Sequence, residues 1–134
     1  MPSKTPYLAR GNQRVNTVKS VEFNIDNGAG TTVDDVLFNF PYDVYLTDVR
    51  AVYTVATDTA GAASANFKLG VAAGGATLVA ATALTAAKAI GGTTVATIVL
   101  DYVPANTTCW VRHTGVASTE VGNYYVQVSF IPKP

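Results

Sequence analysis

Tyr124-Tyr125-Val126-Gln127-Val128-Ser129-Phe130 decides how this chain is read. One face carries Tyr124, Val126, Val128 and Phe130, and the other carries Tyr125, Gln127 and Ser129. A period of two is the mark of a half-buried strand with one face on a core. The same alternation recurs upstream. Val18 to Ile25 puts Val21, Phe23 and Ile25 on one face. Val33 to Phe40 puts Val36, Phe38 and Phe40 inward, with Leu37 outward. In Val44 to Thr57 the residues Val49, Ala51, Tyr53 and Val55 share a face, whereas Val44 and Leu46 fall on the other parity. That slip predicts a bulge near Thr47 or Asp48, and a long strand of this kind can cross from one sheet to another at a corner.

The remaining strands follow from the same pattern. Phe67, Leu69 and Val71 form one. Val95 to Leu100 is apolar on both faces and reads as a central strand. Thr108 to Thr114 sets Cys109, Val111 and His113 opposite Thr108, Trp110 and Arg112. Residues 77–90 fit strand plus loop, with a short helix as the alternative, because Leu78, Ala81 and Thr85 also have helical spacing and alanine favours helix. Turn signals separate the segments: Asp26-Asn27-Gly28, Pro41-Tyr42-Asp43, Gly74-Gly75, Gly91-Gly92 and Pro104-Ala105-Asn106. Seven or eight short strands at this spacing predict an all-β chain, an antiparallel β-sandwich of jelly-roll type. The expected core is Phe23, Ile25, Phe38, Phe40, Val49, Tyr53, Phe67, Leu69, Val99, Val111, Val126, Val128 and Phe130.

Composition bounds the function. At 134 residues the chain fits one domain, large enough for a core without staples. Twenty Ala, nineteen Val and eighteen Thr dominate it, and only 13% of residues are charged. Freely soluble globular chains ordinarily carry about 25%, so this weakly charged surface is easiest to understand if other subunits cover much of it. The longest apolar runs are too short for a membrane span, and the N-terminus lacks the apolar stretch of a secretion signal. The net charge of zero is unevenly placed. Residues 1–19 hold Lys4, Arg10, Arg14 and Lys19 and no acid, whereas the rest holds nine acids and five bases. Residues 1–17 therefore read as an extended basic N-terminal arm on an acidic β-sandwich domain, 18–134. In the arm Lys4, Arg10 and Arg14 supply charge and Tyr7, Leu8 and Val15 apolar anchors for a partner surface.

Little in the chain could do chemistry. One His and one Cys do not make a zinc site, and His113 has no Gly-x-Ser-x-Gly context. Asp34 and Asp35 are consecutive strand residues and point to opposite faces. The glycine pairs lack the Lys-Ser/Thr of a phosphate loop. Cys109 reads as an inert buried thiol. The expectation is a protein with no enzymatic activity, no cofactor, no metal, no nucleic acid and no membrane partner. Tyr42, Tyr45, Tyr53, Tyr102, Tyr124, Tyr125 and Trp110 leave open a stacking surface for sugars, although packing is the commoner use of such residues.

The stretches "SVEFNIDNGAGTTVDDVLFNFPYDVYLTDVRAVYTVAT" and "YYVQVSFIPKP", with the low-charge Ala/Gly/Thr middle, resemble small β-sandwich virion proteins of tailed bacteriophages, above all capsid decoration (cement) proteins. The resemblance covers about residues 18–134. It implies a structural protein that binds the outer capsid shell as an oligomer, commonly a homotrimer, with the major capsid protein as its second partner. It implies location in the virion after assembly in the host cytoplasm, and it brings no catalytic residue. The alternative is a host-recognition, carbohydrate-binding module of a tail or head fibre.

Overall fold

The computed structural model describes residues 15–28, 30–57, 65–84, 88–116 and 121–133. Ten strand segments occur among them: β1 (Asn16–Lys19), β2 (Phe23–Asn24), β3 (Thr32–Asn39), β4 (Val44–Val55), β5 (Asn66–Gly70), β6 (Val79–Ala83), β7 (Thr93–Val95), β8 (Tyr102–Val103), β9 (Thr108–Thr114) and β10 (Asn123–Pro132). The described residues contain no helix, so residues 77–90 take the strand-plus-loop reading wherever they are described.

The strands form two antiparallel sheets. The first runs β1-β10-β4-β7, with β2 also on β10 and β8 also on β4; the second runs β3-β9-β5-β6. Every inward residue of the quoted stretch is buried: Tyr124, Val126, Val128 and Phe130 meet Phe67, Leu69, Val111 and Cys109 from the opposite sheet. Alternation was a sound guide there because β10 is paired on both sides, which holds its pleat regular. Each buried apolar side chain of this size contributes about 1.5–3 kcal/mol.

Slips in register explain most departures from the expected faces. Ser129 pairs with Asp48 and Phe130 with Leu46, which leaves Thr47 unmatched, so the expected bulge is present. It does not carry β4 into the other sheet. That strand stays beside β10 along its whole length, and the slip merely turns Val44 and Leu46 back into the core. A second slip lies in β3, where Val36 pairs with Trp110 and Phe38 with Cys109. Leu37 is the extra residue and is buried, whereas Val36 is exposed, the reverse of the expected faces. Three consecutive apolar residues hid the slip. The first expected strand is likewise broken. Its two halves both pair with β10, but Ser20 interrupts them by bonding Val126 through backbone and hydroxyl. Val21 is thereby exposed rather than buried.

The largest correction concerns Val95 to Leu100. The strand ends at Val95 and lies at an edge, paired only with β4. Ala96 N–H still reaches Val49 O, at 2.9 Å, but the chain then crosses to the second sheet. There Ile98 bridges Val79, and Val99 N–H donates to Leu78 O at 2.8 Å. It returns where Leu46 N–H donates to Asp101 O at 2.7 Å. Val99, expected in the core, is 65% exposed, and Phe40 is only partly buried.

That excursion closes one side of the sandwich. The opposite side is joined by backbone bonds, with Val116 N–H donating to Ile25 O and Gly28 N–H to Val116 O, and by one further side chain. Asp35 lies in the edge strand β3 on the face shared with Val111, and its Oδ2 accepts the Val21 N–H at 2.8 Å.

Candidate assembly surface

The candidate chemical groups resolve into packing. His113 and Cys109 share the inward face of β9 and are fully buried. Burial pushes the Cys109 thiol up to about 12, leaving it protonated and unreactive. The His113 ring is stacked on Phe23, with centroids 5.3 Å apart and planes at 14°, and its Nδ1 is hydrogen-bonded to the Tyr124 hydroxyl. Burial, outweighing a bond to the Asn24 backbone, lowers its pKa to about 4, so at neutral pH the ring is uncharged. The described residues hold no group of three or more His, Cys, Asp or Glu that could bind a metal ion.

The two aspartates of β3 do point to opposite faces. Asp34 takes Arg112 Nε and Nη2 at 2.7 and 2.8 Å across to β9, and that bidentate bond holds its carboxyl below the usual range. Asp35 turns the other way, to Val21. Gly74 lies against the Arg112 guanidinium so closely that a Cβ there would stand 2.6 Å from Nη1.

The aromatics fall into separate groups. Tyr53 and Tyr124 are core. Phe38, Phe40, Phe130 and Tyr42 form a stacked series at one end of the sandwich. On the outer face of the first sheet Tyr45 packs against Tyr102, which lies under Lys133, while Lys19 covers Tyr125. Trp110 is half-buried and opposes Val36 on the outer face of the other sheet.

Seven of the exposed apolar residues fall on two opposite sides of the sandwich, and Val15, Tyr42, Val55, Val71 and Val121 are exposed elsewhere. Ile90, Val95, Val99 and Leu100 project from residues 88–101, which run beside β4. A hollow of about 390 Å³ opens there, lined by Leu46, Ile98, Val99, Leu100 and Asp101. Val21, Val33 and Val36 project around Asp35 at the other side. The sequence hides the first group, since apolarity on both faces reads as burial within the chain.

The fold has a counterpart in a virus shell. A chain of the cyanophage Pam1 capsid asymmetric unit superposes with a TM-score of 0.58 over 91% of this chain and 86% of that one, at 22% identity. At that identity the likeness is one of fold. No protein-family model matches the sequence, and no curated protein does. Of the expected arm residues, Lys4, Tyr7, Leu8, Arg10 and Arg14 lie outside the described residues; Val15 is exposed immediately before β1.

Proposed function

We propose that this chain is a non-enzymatic structural protein of a bacteriophage virion, a decoration protein that binds the outer capsid shell as an oligomer. The observation that carries the reading is the fold likeness to a chain of a phage capsid asymmetric unit. Counting β1 with β2 and β7 with β8 gives eight strands, ordered 1-8-3-6 in one sheet and 2-7-4-5 in the other. That interleaving of early and late strands supports the jelly-roll reading, an arrangement that viral capsid domains use. Two exposed apolar sides and a sparsely charged surface support self-association, with a homotrimer as the leading state. The major capsid protein is the second partner.

Of the expected arm, residues 1–17, Asn16 and Thr17 pair with β10 in β1, so the part before them, with Lys4, Tyr7, Leu8, Arg10, Arg14 and Val15, is proposed to lie on an acidic neighbouring surface. Exposed ion pairs add only about 0.2–1 kcal/mol each, so its apolar residues supply most of the hold. The rival reading, a sugar-binding module of a fibre, needs several exposed aromatics presented together. The described aromatics are instead divided among core, two outer faces and one end, which favours the shell-binding reading.

The test mixes purified protein with undecorated shells of the parent particle. We expect co-sedimentation and a raised shell melting temperature, with no signal on a glycan array. Deleting residues 1–14, which stops short of β1, is expected to leave the β spectrum intact and weaken attachment. Shells that melt unchanged in saturating protein would overturn the reading.

A further inference from the structure

We infer that Asn27 is a modification site that the fold guards. Its carboxamide deamidates in a chain left unfolded and is protected in a folded one, so residue 27 marks how long a chain has waited. The inference stands apart from the virion reading.

The chemistry lies in the pair Asn27-Gly28. Of the eight asparagines in the chain, Asn27 alone precedes a glycine. A glycine has no Cβ to hinder its backbone nitrogen as it swings toward the preceding carboxamide, and asparagine is among the thermolabile residues. The Gly28 nitrogen gives its proton to hydroxide and bonds Asn27 Cγ. The Cγ–Nδ2 bond breaks, and Nδ2 takes a proton from water and leaves as ammonia. Water then opens the cyclic imide at one carbonyl or the other, which leaves aspartate or isoaspartate at position 27.

The folded chain holds both reacting groups apart. Gly28 N–H donates to Val116 O at 3.2 Å, and Val116 N–H donates to Ile25 O at 3.1 Å, so the backbone is strapped on both sides of Asn27. Gly30 N–H to Gly115 O, at 3.1 Å, and Gly115 N–H to Thr31 O, at 2.9 Å, continue the strap. Asn27 Oδ1 is buried and occupies the space that a Cβ on residue 115 would fill, so Gly115 makes its seat. A nitrogen whose proton is held by a carbonyl, beside a carboxamide that cannot turn, reaches Cγ only when the strap opens. Local stability sets how often that happens.

Neither product fits the seat. Aspartate puts a carboxylate oxygen where Oδ1 is buried without a hydrogen-bond partner, and a buried unpaired charge is costly. Isoaspartate adds a carbon to the backbone between Ile25 and Gly28, so the two can no longer both meet Val116 in register. A chain that has deamidated therefore closes this side of the sandwich less well, and it does so irreversibly.

The experiment incubates the protein at pH 8, native and in guanidinium chloride, and reads residue 27 by peptide mass mapping. In denaturant Asn27 is expected to convert. The native chain is expected to convert at least about tenfold more slowly. Equal rates overturn the inference, and so does an Asn27 that survives in denaturant. Gly115→Ala, whose Cβ displaces the carboxamide, is expected to lift the native rate toward the denatured one. Near-ultraviolet circular dichroism checks its folding, and Val116→Ala, which keeps both backbone bonds but loses buried methyls, replaces it if it does not fold. A folded variant that converts as slowly as wild type overturns the guarding role of the seat. Protein aged in denaturant and then refolded is expected to melt below fresh protein taken through the same cycle, and Asn27→Ser should lose that difference. Identical melting with residue 27 converted overturns the claim that the products do not fit.

Discussion

His113 Nδ1 lies 2.5 Å from the Tyr124 hydroxyl, and this contact ties β9 to β10 through the middle of the sandwich, one sheet to the other. Both residues are fully buried, and burial also raises the Tyr124 pKa, so the pair is held neutral. A neutral pair of this kind adds orientation to a core that is otherwise apolar, since only one register of the two sheets brings the ring nitrogen to the hydroxyl.

Acid should therefore loosen the fold. A free histidine titrates near 6.5, whereas His113 titrates near 4 in the folded chain. Between those values the unfolded chain binds the extra proton, so stability falls as pH falls, by about 1.4 kcal/mol per pH unit. Below about 4 this contribution is lost completely. Urea denaturation at pH 7 and pH 5 is expected to differ by about 2 kcal/mol from this group. In His113→Phe that part of the slope should vanish, whatever the variant's absolute stability.

Removing the hydroxyl tests the same contact differently. Tyr124→Phe keeps the ring and leaves Nδ1 without its partner, and a buried polar group so orphaned destabilises by about 1–3 kcal/mol. Thermal melts at pH 7 measure it. A variant as stable as wild type would mean that the hydroxyl contributes nothing.

Cys109 should be silent until the chain unfolds. Its thiol titrates at about 12 and is buried, so a disulfide-exchange reagent at pH 8 is expected to label it only in denaturant. Labelling of the native protein within minutes would contradict its place in the core.

Two glycines with positive φ should respond unequally to alanine. At Gly91, with φ 83°, a Cβ meets nothing within 4 Å, so only the left-handed backbone counts, about 1–2 kcal/mol. At Gly74, with φ 77°, the same Cβ also runs into Arg112. Gly74→Ala is expected to be the less stable of the two and to loosen the Asp34 bond. Equal melting temperatures would show that the guanidinium moves aside freely.

Much of this was legible from residues, and the exceptions have physical causes. β9 and β10 were legible because each keeps an unbroken alternation of inward residues from Cys109 to His113 and from Tyr124 to Phe130. The Thr47 bulge was visible because the polar pair Thr47-Asp48 separates Leu46 from Val49 and exposes the change of parity. The Leu37 bulge was not, since Val36, Leu37 and Phe38 look alike in either register. Val95 to Leu100 failed for another reason. Sequence records that a side chain avoids water, but not whether its own chain or another one shields it. The bonds of Asp34 to Arg112 and Asp35 to Val21 each join residues far apart in sequence, and no local pattern announces them.

The place of β10 between β1 and β4 has a consequence for synthesis. Most of the first sheet is held together by the strand made after all the other described ones. Until Asn123–Pro132 leave the ribosome, β1 and β2 have no neighbour to bond and β4 has lost its longest one. Folding of that sheet must therefore wait for β10, and long-range pairing of this kind is slow. A nascent chain that stops short of Asn123 would present open strand edges to its neighbours, so a translation pause before that point should favour aggregation over product.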